Sequence, residues 1–402
     1  MIGAASRNSN NLFAVIPGNP IIYLDNNSST RIDPAVLEEM MPFLTTRYGN
    51  PSSPHRFGAQ VKDATIVAHE RVAALLGCEP NEVVFTSGGT ESDNAALHSA
   101  LQNSPDRRHI VTTSVEHNAV LNYCHAFVRR GCEVTIVDVD EQGHLDMAEL
   151  EGAIRPETAV VSVMWANNET GVIFPLAEIA EICRRHGVFL HTDAVQAVGK
   201  MPIDLTKTSV HFLSLSGHKL HAPKGVGALY VNGKARFHPL VLGGPQESGR
   251  RAGTDNVASI VGLGKAAELA GAALDEENVH VRALRDRFES TLLAQVDDVV
   301  VNGDPGARLP NTSNLAFSGV DAQAILIKLD QEGICCSLGS SCTTGSVQPS
   351  HVLRAMHLTN ERARSSLRFS FGRFNTEAEL DQVLGVLPRT IKKLRHLSAA
   401  SA

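Results

Sequence analysis

The stretch Phe212-Leu-Ser-Leu-Ser-Gly-His-Lys219 combines an apolar run with a polar end. Such a run indicates a buried strand, with its last residues at the point where the strand ends. Open α/β sheets bind their ligands at the carboxyl ends of the strands, so Lys219 is predicted to face a crevice. An amine in that position can capture a carbonyl cofactor. The alternative, which residue type alone favours, is a solvent-exposed lysine after a strand.

Six further apolar runs lie before and after this stretch, and helical patterns separate several of them. In the pattern at 176–185, for example, apolar residues recur at helical spacing. Seven strands with helices between them predict an α/β protein with a large, mostly parallel sheet covered on both faces. The six further runs are 83–85, 110–112, 134–137, 160–164, 188–191 and 226–231.

The sequence changes character at about residue 255. A long Ala- and Leu-rich helical pattern runs from there to about residue 296, and shorter patterns then alternate, which predicts a smaller α+β domain. We therefore divide the chain into a loose tail (1–20), a large domain (21–255) and a small domain (256–402) to which the N-terminal segment could contribute. The predicted strands of the small domain are 299–302, 313–317 and 367–371, and its later helices are 322–331, 351–356 and 377–397.

The composition is that of an ordinary globular protein. The 402 residues are 20% charged and 43% apolar, which argues against disorder. A net charge of −7 argues against broad nucleic-acid binding. The most apolar stretch, 257–274, contains Lys265 and Glu268, so no membrane span is expected. The tail lacks the apolar core of a signal peptide, so we expect a cytoplasmic location.

Polar residues also follow other predicted strands. Asp193 closes one of them, and the chain between it and Lys219 allows one helix-containing crossover to a neighbouring strand. A buried carboxylate there would keep a cofactor's ring nitrogen protonated, and a cap for the following turn is the alternative. Thr86-Ser-Gly-Gly-Thr-Glu-Ser92 opens a helical pattern and suits a phosphate, or is only a helix start. His117 could stack on a planar ring, transfer a proton or be structural.

The seven cysteines include no Cys-x-x-Cys pair, which disfavours a disulfide framework and matches no zinc site that we recognise. Cys342 lies in Leu338-Gly-Ser-Ser-Cys-Thr-Thr-Gly-Ser346, which predicts an exposed loop with an accessible thiol. Cys335 and Cys336 lie in a strand-like run, for which burial is the better interpretation. Arg368 lies inside an alternating strand, where it either faces solvent or clamps a carboxylate.

Together, several separated motifs resemble those of the cysteine desulfurases, most closely the nitrogen-fixation type. These are pyridoxal-phosphate enzymes of the class V aminotransferase family, with the aspartate aminotransferase fold (fold type I). The resemblance covers the chain from Tyr23 to about Ser398. It rests on Tyr23-Leu-Asp-Asn-Asn27, Gly49-Asn-Pro-Ser-Ser53, Phe85-Thr-Ser-Gly-Gly-Thr-Glu-Ser92, Val163-Met-Trp-Ala-Asn-Asn-Glu-Thr-Gly171, His191-Thr-Asp-Ala-Val-Gln196, Ser216-Gly-His-Lys219, Gly249-Arg-Arg-Ala-Gly-Thr254 and Gly339-Ser-Ser-Cys342.

The resemblance implies a role for each matching residue. Lys219 would form the Schiff base with pyridoxal phosphate, Asp193 would pair with the pyridinium nitrogen, and Cys342 would be the nucleophile. Gln196 would hydrogen-bond the phenolic oxygen, while His117 would stack on the ring and assist proton transfer. The substrate carboxylate would be bound by Asn168 and Arg368. The phosphate would be held by Gly89, Thr90, Ser216, His218 and, from the neighbouring subunit of a homodimer, Thr254.

The activity implied by the resemblance is removal of sulfur from L-cysteine, which yields L-alanine and a persulfide on Cys342. The sulfur would pass to an iron–sulfur scaffold protein or another acceptor for iron–sulfur cluster assembly. No resident metal is implied, although Cys342 could ligate a nascent cluster and Cys336 is a second conceivable sulfur carrier. The sequence departs from the family at Gly89, where alanine or cysteine is common, and at Leu338 and Pro245. A selenocysteine lyase, an aminotransferase and a non-catalytic protein on the same scaffold stay open.

Overall fold

The computed structural model describes residues 21–338 and 349–401, with side chains described to residue 397. One sheet has the strand order β2-β8-β7-β6-β5-β3-β4. Strand β8 runs antiparallel to both of its neighbours, and the other neighbours pair in parallel. The strands are β2 (Val83–Thr86), β3 (His109–Thr113), β4 (Glu133–Val137), β5 (Thr158–Ser162), β6 (Phe189–Asp193), β7 (Phe212–Ser216) and β8 (Gly227–Val231). The predicted seven-stranded, mostly parallel sheet is therefore confirmed.

Helices cover both faces of this sheet because successive residues of each strand point to opposite sides. Ile110 packs in a cluster with residues of α3 and α4, whereas its neighbour Val111 packs in a cluster with residues of α2, α5 and α6. Both residues are fully buried, so the sheet is a central layer between two apolar cores. The helices of this region are α1 (Pro34–Thr45), α2 (Arg56–Leu76), α3 (Gly89–Asn103), α4 (Asn118–Val128), α5 (Met147–Ala153) and α6 (Leu176–His186).

The connection between β6 and β7 differs from the prediction. Its residues, 194–211, form turns and an isolated bridge between Val198 and Met201, so the expected helix-containing crossover is wrong. Two residues explain the absence of a helix in this connection. Gly199 has φ +74°, with the side chain of Leu220 against it, and Pro202 lacks a backbone N–H. The strands are nevertheless neighbours, which brings the ends of β6 and β7 together.

The C-terminal part has a second apolar core. A three-stranded antiparallel sheet, ordered β12-β10-β9, and a parallel pair of β1 with β11 surround it. Ile22 and Leu24 of the N-terminal segment are buried in this core. The elements are β1 (Ile22–Tyr23), α7 (Val257–Gln295), β9 (Val299–Val301), β10 (Thr312–Phe317), α8 (Ala322–Gln331), β11 (Ile334–Cys335), α9 (His351–Ala355), α10 (Asn360–Arg364), β12 (Ser366–Ser370) and α11 (Glu377–Ser401).

Helix α7 connects the two cores. Its residues from Ile260 to Ala270 pack in the large core, and those from Val281 to Leu292 pack in the second. The helix is long and apolar enough to cross a membrane, but 61% of its most apolar window is buried inside the protein. Helix α7 begins at Val257, just after the predicted boundary, and packs in both cores, so the domain boundaries stated above stay predictions.

Candidate active site

Lys219 lies just beyond the carboxyl end of β7, in the one-turn 3₁₀ helix Gly217–Lys219. Its Nζ donates hydrogen bonds to the carbonyl oxygens of Asn27 at 2.5 Å and Ser28 at 2.6 Å. Burial, and then the positive charge of Arg368, lower the pKa of Lys219 to about 8. A substantial fraction of this amine is therefore neutral close to physiological pH, which is the form that attacks a carbonyl carbon.

Two buried carboxyl groups, Asp193 and Asp93, lie together next to His117. One carboxylate oxygen of each aspartate and one ring nitrogen of His117 lie within 4.8 Å of one another. Burial, and then the neighbouring Asp93, raise the pKa of Asp193 to about 7, and His117 opposes this shift. Burial likewise raises the pKa of Asp93 to about 7. Near neutral pH each carboxyl group is therefore only partly ionised, and a cation beside Asp193 would favour its ionised form.

The two aspartates have different partners. Oδ1 of Asp193 accepts a hydrogen bond from the backbone N–H of Val195 at 2.9 Å, so the turn-capping alternative is also realised. Oδ1 of Asp93 lies 3.4 Å from Nε2 of His191. Burial lowers the pKa of His191 to about 4, so this ring is neutral and the contact is not an ion pair.

His117 has a structural role as well as a place at the crevice. Its Nδ1 accepts a hydrogen bond from the backbone N–H of Ala119 at 3.1 Å and caps α4. In this tautomer the neutral ring carries its proton on Nε2. Partial burial lowers the pKa of His117, which Asp193 opposes. The exposed, neutral ring is therefore available to stack on a planar ligand and to donate one proton.

The N-terminus of α3 provides a place for an anion. Its N-cap residue is Gly88, so no side chain caps the helix, and the backbone N–H groups of its first turn point outward. A Cβ atom at Gly89 would lie 2.8 Å from the Cγ2 atom of Val195. This close approach explains why glycine replaces the larger residues common in the family. It also means that the first residue of α3 packs directly on the turn that follows Asp193.

The other predicted phosphate ligands differ in burial. Ser216 is buried at the end of β7, and an added Cβ at Gly88 would lie 3.8 Å from its Oγ. Thr90 is exposed in the first turn of α3. His218 is half-buried, and burial lowers its pKa to about 4. Thr254 is exposed on the segment before α7.

Arg368 is 3% exposed, so the solvent-facing alternative is wrong. Its guanidinium donates to Oδ1 of Asp25 at 2.8 Å, to Oγ of Ser28 at 3.0 Å and to the backbone carbonyl oxygen of Asn168 at 2.8 Å. It therefore does not form a bidentate clamp on Asp25. Its Nε is buried without a hydrogen-bond partner among the described residues. Because an unpaired buried donor is unfavourable, this N–H suits the carboxylate of a ligand.

Gln196 and Lys219 meet on Asn27, a residue to which the sequence analysis gave no role. Nε2 of Gln196 donates to the carbonyl oxygen of Asn27 at 2.9 Å, beside the contact from Lys219. Asn27 is 1% exposed and also donates from Nδ2 to Oγ1 of Thr312. A run of polar residues directly after a short strand was the available signal for this residue, but its partners are far away in the sequence.

The segment 339–348, which contains Cys342, lies outside the described residues. The residues on either side of it are held beside the crevice. Ser337 exchanges backbone hydrogen bonds with Arg368, and Nε2 of His351 lies 3.0 Å from the carbonyl oxygen of Glu116, the residue before His117. The described residues on both sides of this segment therefore lie next to the crevice.

This fold is that of the fold type I pyridoxal-phosphate enzymes. The family model for aminotransferase class-V matches residues 22–383, and the chain belongs to this family. It is 52% identical over 94% of both chains to a cysteine desulfurase of Nostoc sp., and 51% identical over 94% of both chains to the cysteine desulfurase NifS of Azotobacter vinelandii. A solved structure named a NifS-like protein has TM-score 0.88 and 36% identity, covering 93% of this chain and 100% of its own.

The pKa of Lys219 gives a testable pH dependence. We expect the apoprotein to couple to pyridoxal phosphate faster as pH rises through about 8, because only the neutral amine attacks the aldehyde. An ordinary lysine would respond about two units higher. The measurement is borohydride trapping at a series of pH values, followed by peptide mass spectrometry. Lys207, which is exposed and paired with Asp204, provides the control in the same digest. Equal pH midpoints at both lysines would contradict the assignment.

Proposed function

We propose that this chain is a pyridoxal-phosphate-dependent cysteine desulfurase that releases L-alanine and holds the sulfur as a persulfide on Cys342. One observation carries the proposal. Nζ of Lys219, whose pKa is lowered, donates to the carbonyl oxygens of Asn27 and Ser28, and the buried guanidinium of Arg368 donates to Oγ of the same serine. The first group suits a carbonyl cofactor, and the second suits the carboxylate of an amino acid.

The described residues fit pyridoxal phosphate. Asp193 would hold the ring nitrogen, the uncapped start of α3 with Ser216 would hold the phosphate, and Lys219 would hold the aldehyde carbon. The close packing of Gly89 on Val195 joins the first two sites. When bound, pyridoxal phosphate supplies an electron sink for the charge left on the substrate's Cα when its proton is removed.

The chain's own groups then have distinct tasks. Arg368 orients the substrate through its carboxylate, using the buried Nε that lacks a described partner. Nζ of Lys219 accepts the Cα proton, and its lowered pKa favours the neutral form that this task needs. His117 stacks on the ring and exchanges its Nε2 proton with the substrate. Cys342, as a thiolate, would attack the substrate's sulfur, so that one S–S bond forms as the C–S bond breaks; the electron pair of the C–S bond stays on the substrate's Cβ, which takes up a proton to give alanine.

The described cysteines are poorly suited to the nucleophilic step. Cys336 is buried and Cys335 half-buried, and burial raises the pKa of both thiols. Cys78, Cys124 and Cys183 have pKa values raised by burial to about 12. A thiol needs a lowered pKa or an adjacent base to react as a thiolate at neutral pH. This supports Cys342, and it argues against Cys336 as a second sulfur carrier.

The proposal extends to the sulfur's destination and to assembly. An iron–sulfur scaffold protein or a similar acceptor would take the sulfur from Cys342, and a homodimer would bring Thr254 of one subunit to the phosphate of the other. The exposure of Thr254 is compatible with the second point. The function also fits the cytoplasmic location expected from the sequence.

The test is alanine formation from cysteine in the presence of a reducing thiol. We expect Cys342→Ala to lose about a hundredfold or more of this activity while the cofactor's visible colour is kept, because only the sulfur acceptor is removed. Cys78→Ala, a half-buried cysteine away from the crevice, is the matched control and should keep parental activity. Equal turnover in the Cys342 variant would favour a lyase or an aminotransferase. A strong preference for selenocysteine in the parent protein would favour a selenocysteine lyase.

A further inference from the structure

Lys200 lies four residues after Gln196 and contacts its side chain directly. Nζ of Lys200 donates to Oε1 of Gln196 at 2.6 Å and to Oδ1 of Asn27 at 3.3 Å. Because a lysine ammonium has donors only, the end of the amide that faces it must be the oxygen. Gln196 is 4% exposed, so the orientation of its amide is determined by these protein contacts.

The opposite end of the amide lies on the Lys219 side. Nε2 of Gln196 donates one N–H to the carbonyl oxygen of Asn27, the same oxygen that accepts from Lys219. An amide nitrogen carries two N–H groups, so one remains for a ligand in the crevice. Lys200 and Lys219 are thus held by two oxygens of one asparagine, with the Gln196 amide between them.

We propose that Lys200 is a positioning residue that locks the Gln196 amide with its second N–H toward the ring oxygen of pyridoxal phosphate bound at Lys219. The inference rests on the proposed function, since it requires that cofactor. Without Lys200, the amide can rotate and present its oxygen to the ring oxygen, which would replace an attractive contact with a repulsive one. The family resemblance assigns no role to this lysine.

Several charged groups face Lys200 and influence its ionisation. A cavity of about 20 Å³ beside it has titratable groups from the segment after β7, from α7 and from the segment after β12. Burial lowers the pKa of Lys200 to about 7, with further lowering from two cations and opposition from Glu277. Above this pKa the neutral amine gains a lone pair that can accept from the amide N–H, so the lock on the amide orientation weakens. The charged or titratable neighbours are Lys219, His218, His221, Glu277, Arg368 and Arg373.

The test compares the affinity of the apoprotein for pyridoxal phosphate with that for deoxypyridoxal phosphate, which lacks the ring hydroxyl. We expect Lys200→Met to weaken binding of pyridoxal phosphate about tenfold and to leave binding of the analogue unchanged. We also expect the pH midpoint of the cofactor's visible band to rise by about one unit, because the ring oxygen loses a donor to its anionic form. Lys200→Arg should restore both values, and Lys207→Met is the control.

A double variant shows whether Lys200 acts through Gln196. In a Gln196→Ala background, Lys200→Met should cause no further loss of pyridoxal phosphate affinity. An equal loss for both ligands, or an equal loss in both backgrounds, would overturn the inference. If Lys200→Met does not fold, Lys200→Ala removes the ammonium at the same half-buried position without adding another donor and gives the same comparison. Failure of the parent protein to form a borohydride-reducible bond to the cofactor at Lys219 would instead refute the proposed function.

Discussion

Replacing Lys219 with alanine is expected to lower alanine formation from cysteine by about a thousandfold or more. The variant loses the one described amine that lies at the end of β7 with a pKa near neutrality, about 8, so it loses both the attachment of the cofactor and the acceptor of the Cα proton. The measurement is steady-state alanine production, together with borohydride trapping of pyridoxal phosphate on the protein.

Two controls make this result specific to the amine. Lys207→Ala removes an exposed lysine and should leave the rate unchanged. Adding a small amine such as methylamine should restore part of the Lys219→Ala activity, because an exogenous base can take over the proton transfer. A Lys219→Ala protein that retains more than about a tenth of the parental rate would exclude Lys219 as the proton acceptor.

Replacing Asp193 with asparagine is expected to lower the same rate about a hundredfold to a thousandfold, with a much smaller loss of cofactor binding. Asparagine keeps the oxygen that accepts from the Val195 N–H, so the turn after β6 should persist. It cannot carry the negative charge that holds a ring nitrogen protonated, and the electron sink is weakened accordingly. Rate measurements and the absorption spectrum of the bound cofactor check this prediction.

The pH dependence separates a catalytic effect from a structural one. Because burial raises the pKa values of Asp93 and Asp193 to about 7, the parent apoprotein should bind the cofactor more tightly as pH rises through about 7, when Asp193 ionises. Asp193→Asn should flatten this dependence. Asp204→Asn, at an exposed turn, is the matched control and should leave it intact. An unaltered pH profile in the Asp193 variant would show that the pair does not interact with the ring nitrogen.

Local patterns were sufficient to find the groups at strand ends. Lys219, Asp193 and the Thr86–Ser92 segment each follow an apolar run, and a run of that length can be recognised without knowing its neighbours. Parallel strands then bring these ends to one edge of the sheet, so their proximity follows from the fold class. The family resemblance, which comparison with known proteins confirms, added the expected cofactor and substrate.

The tertiary structure alone decided the contacts that depend on distant segments. The strand pattern around Arg368 allows either an exposed or a buried side chain. The side chain is buried because β12 pairs with β10 and because Asp25 and Ser28 contact its guanidinium. Asn27 joins the site because its backbone N–H donates to Ser370 and its side chain donates to Thr312, two residues far away in the sequence. The β6–β7 connection was predicted to contain a helix but forms turns. One contact that favours the turns, the packing of Leu220 against Gly199, joins residues that meet only in the folded protein.

The sequence by itself therefore determined the fold class, the family and the groups at the strand ends, because hydrophobic periodicity and strand-end chemistry are local properties. The orientation of the Gln196 amide, the burial of Arg368 and the raised pKa values of Asp93 and Asp193 were decided by the tertiary structure. Each of these depends on desolvation and on hydrogen bonds between residues far apart in the chain. Such contacts arise only after the sheets and helices have packed.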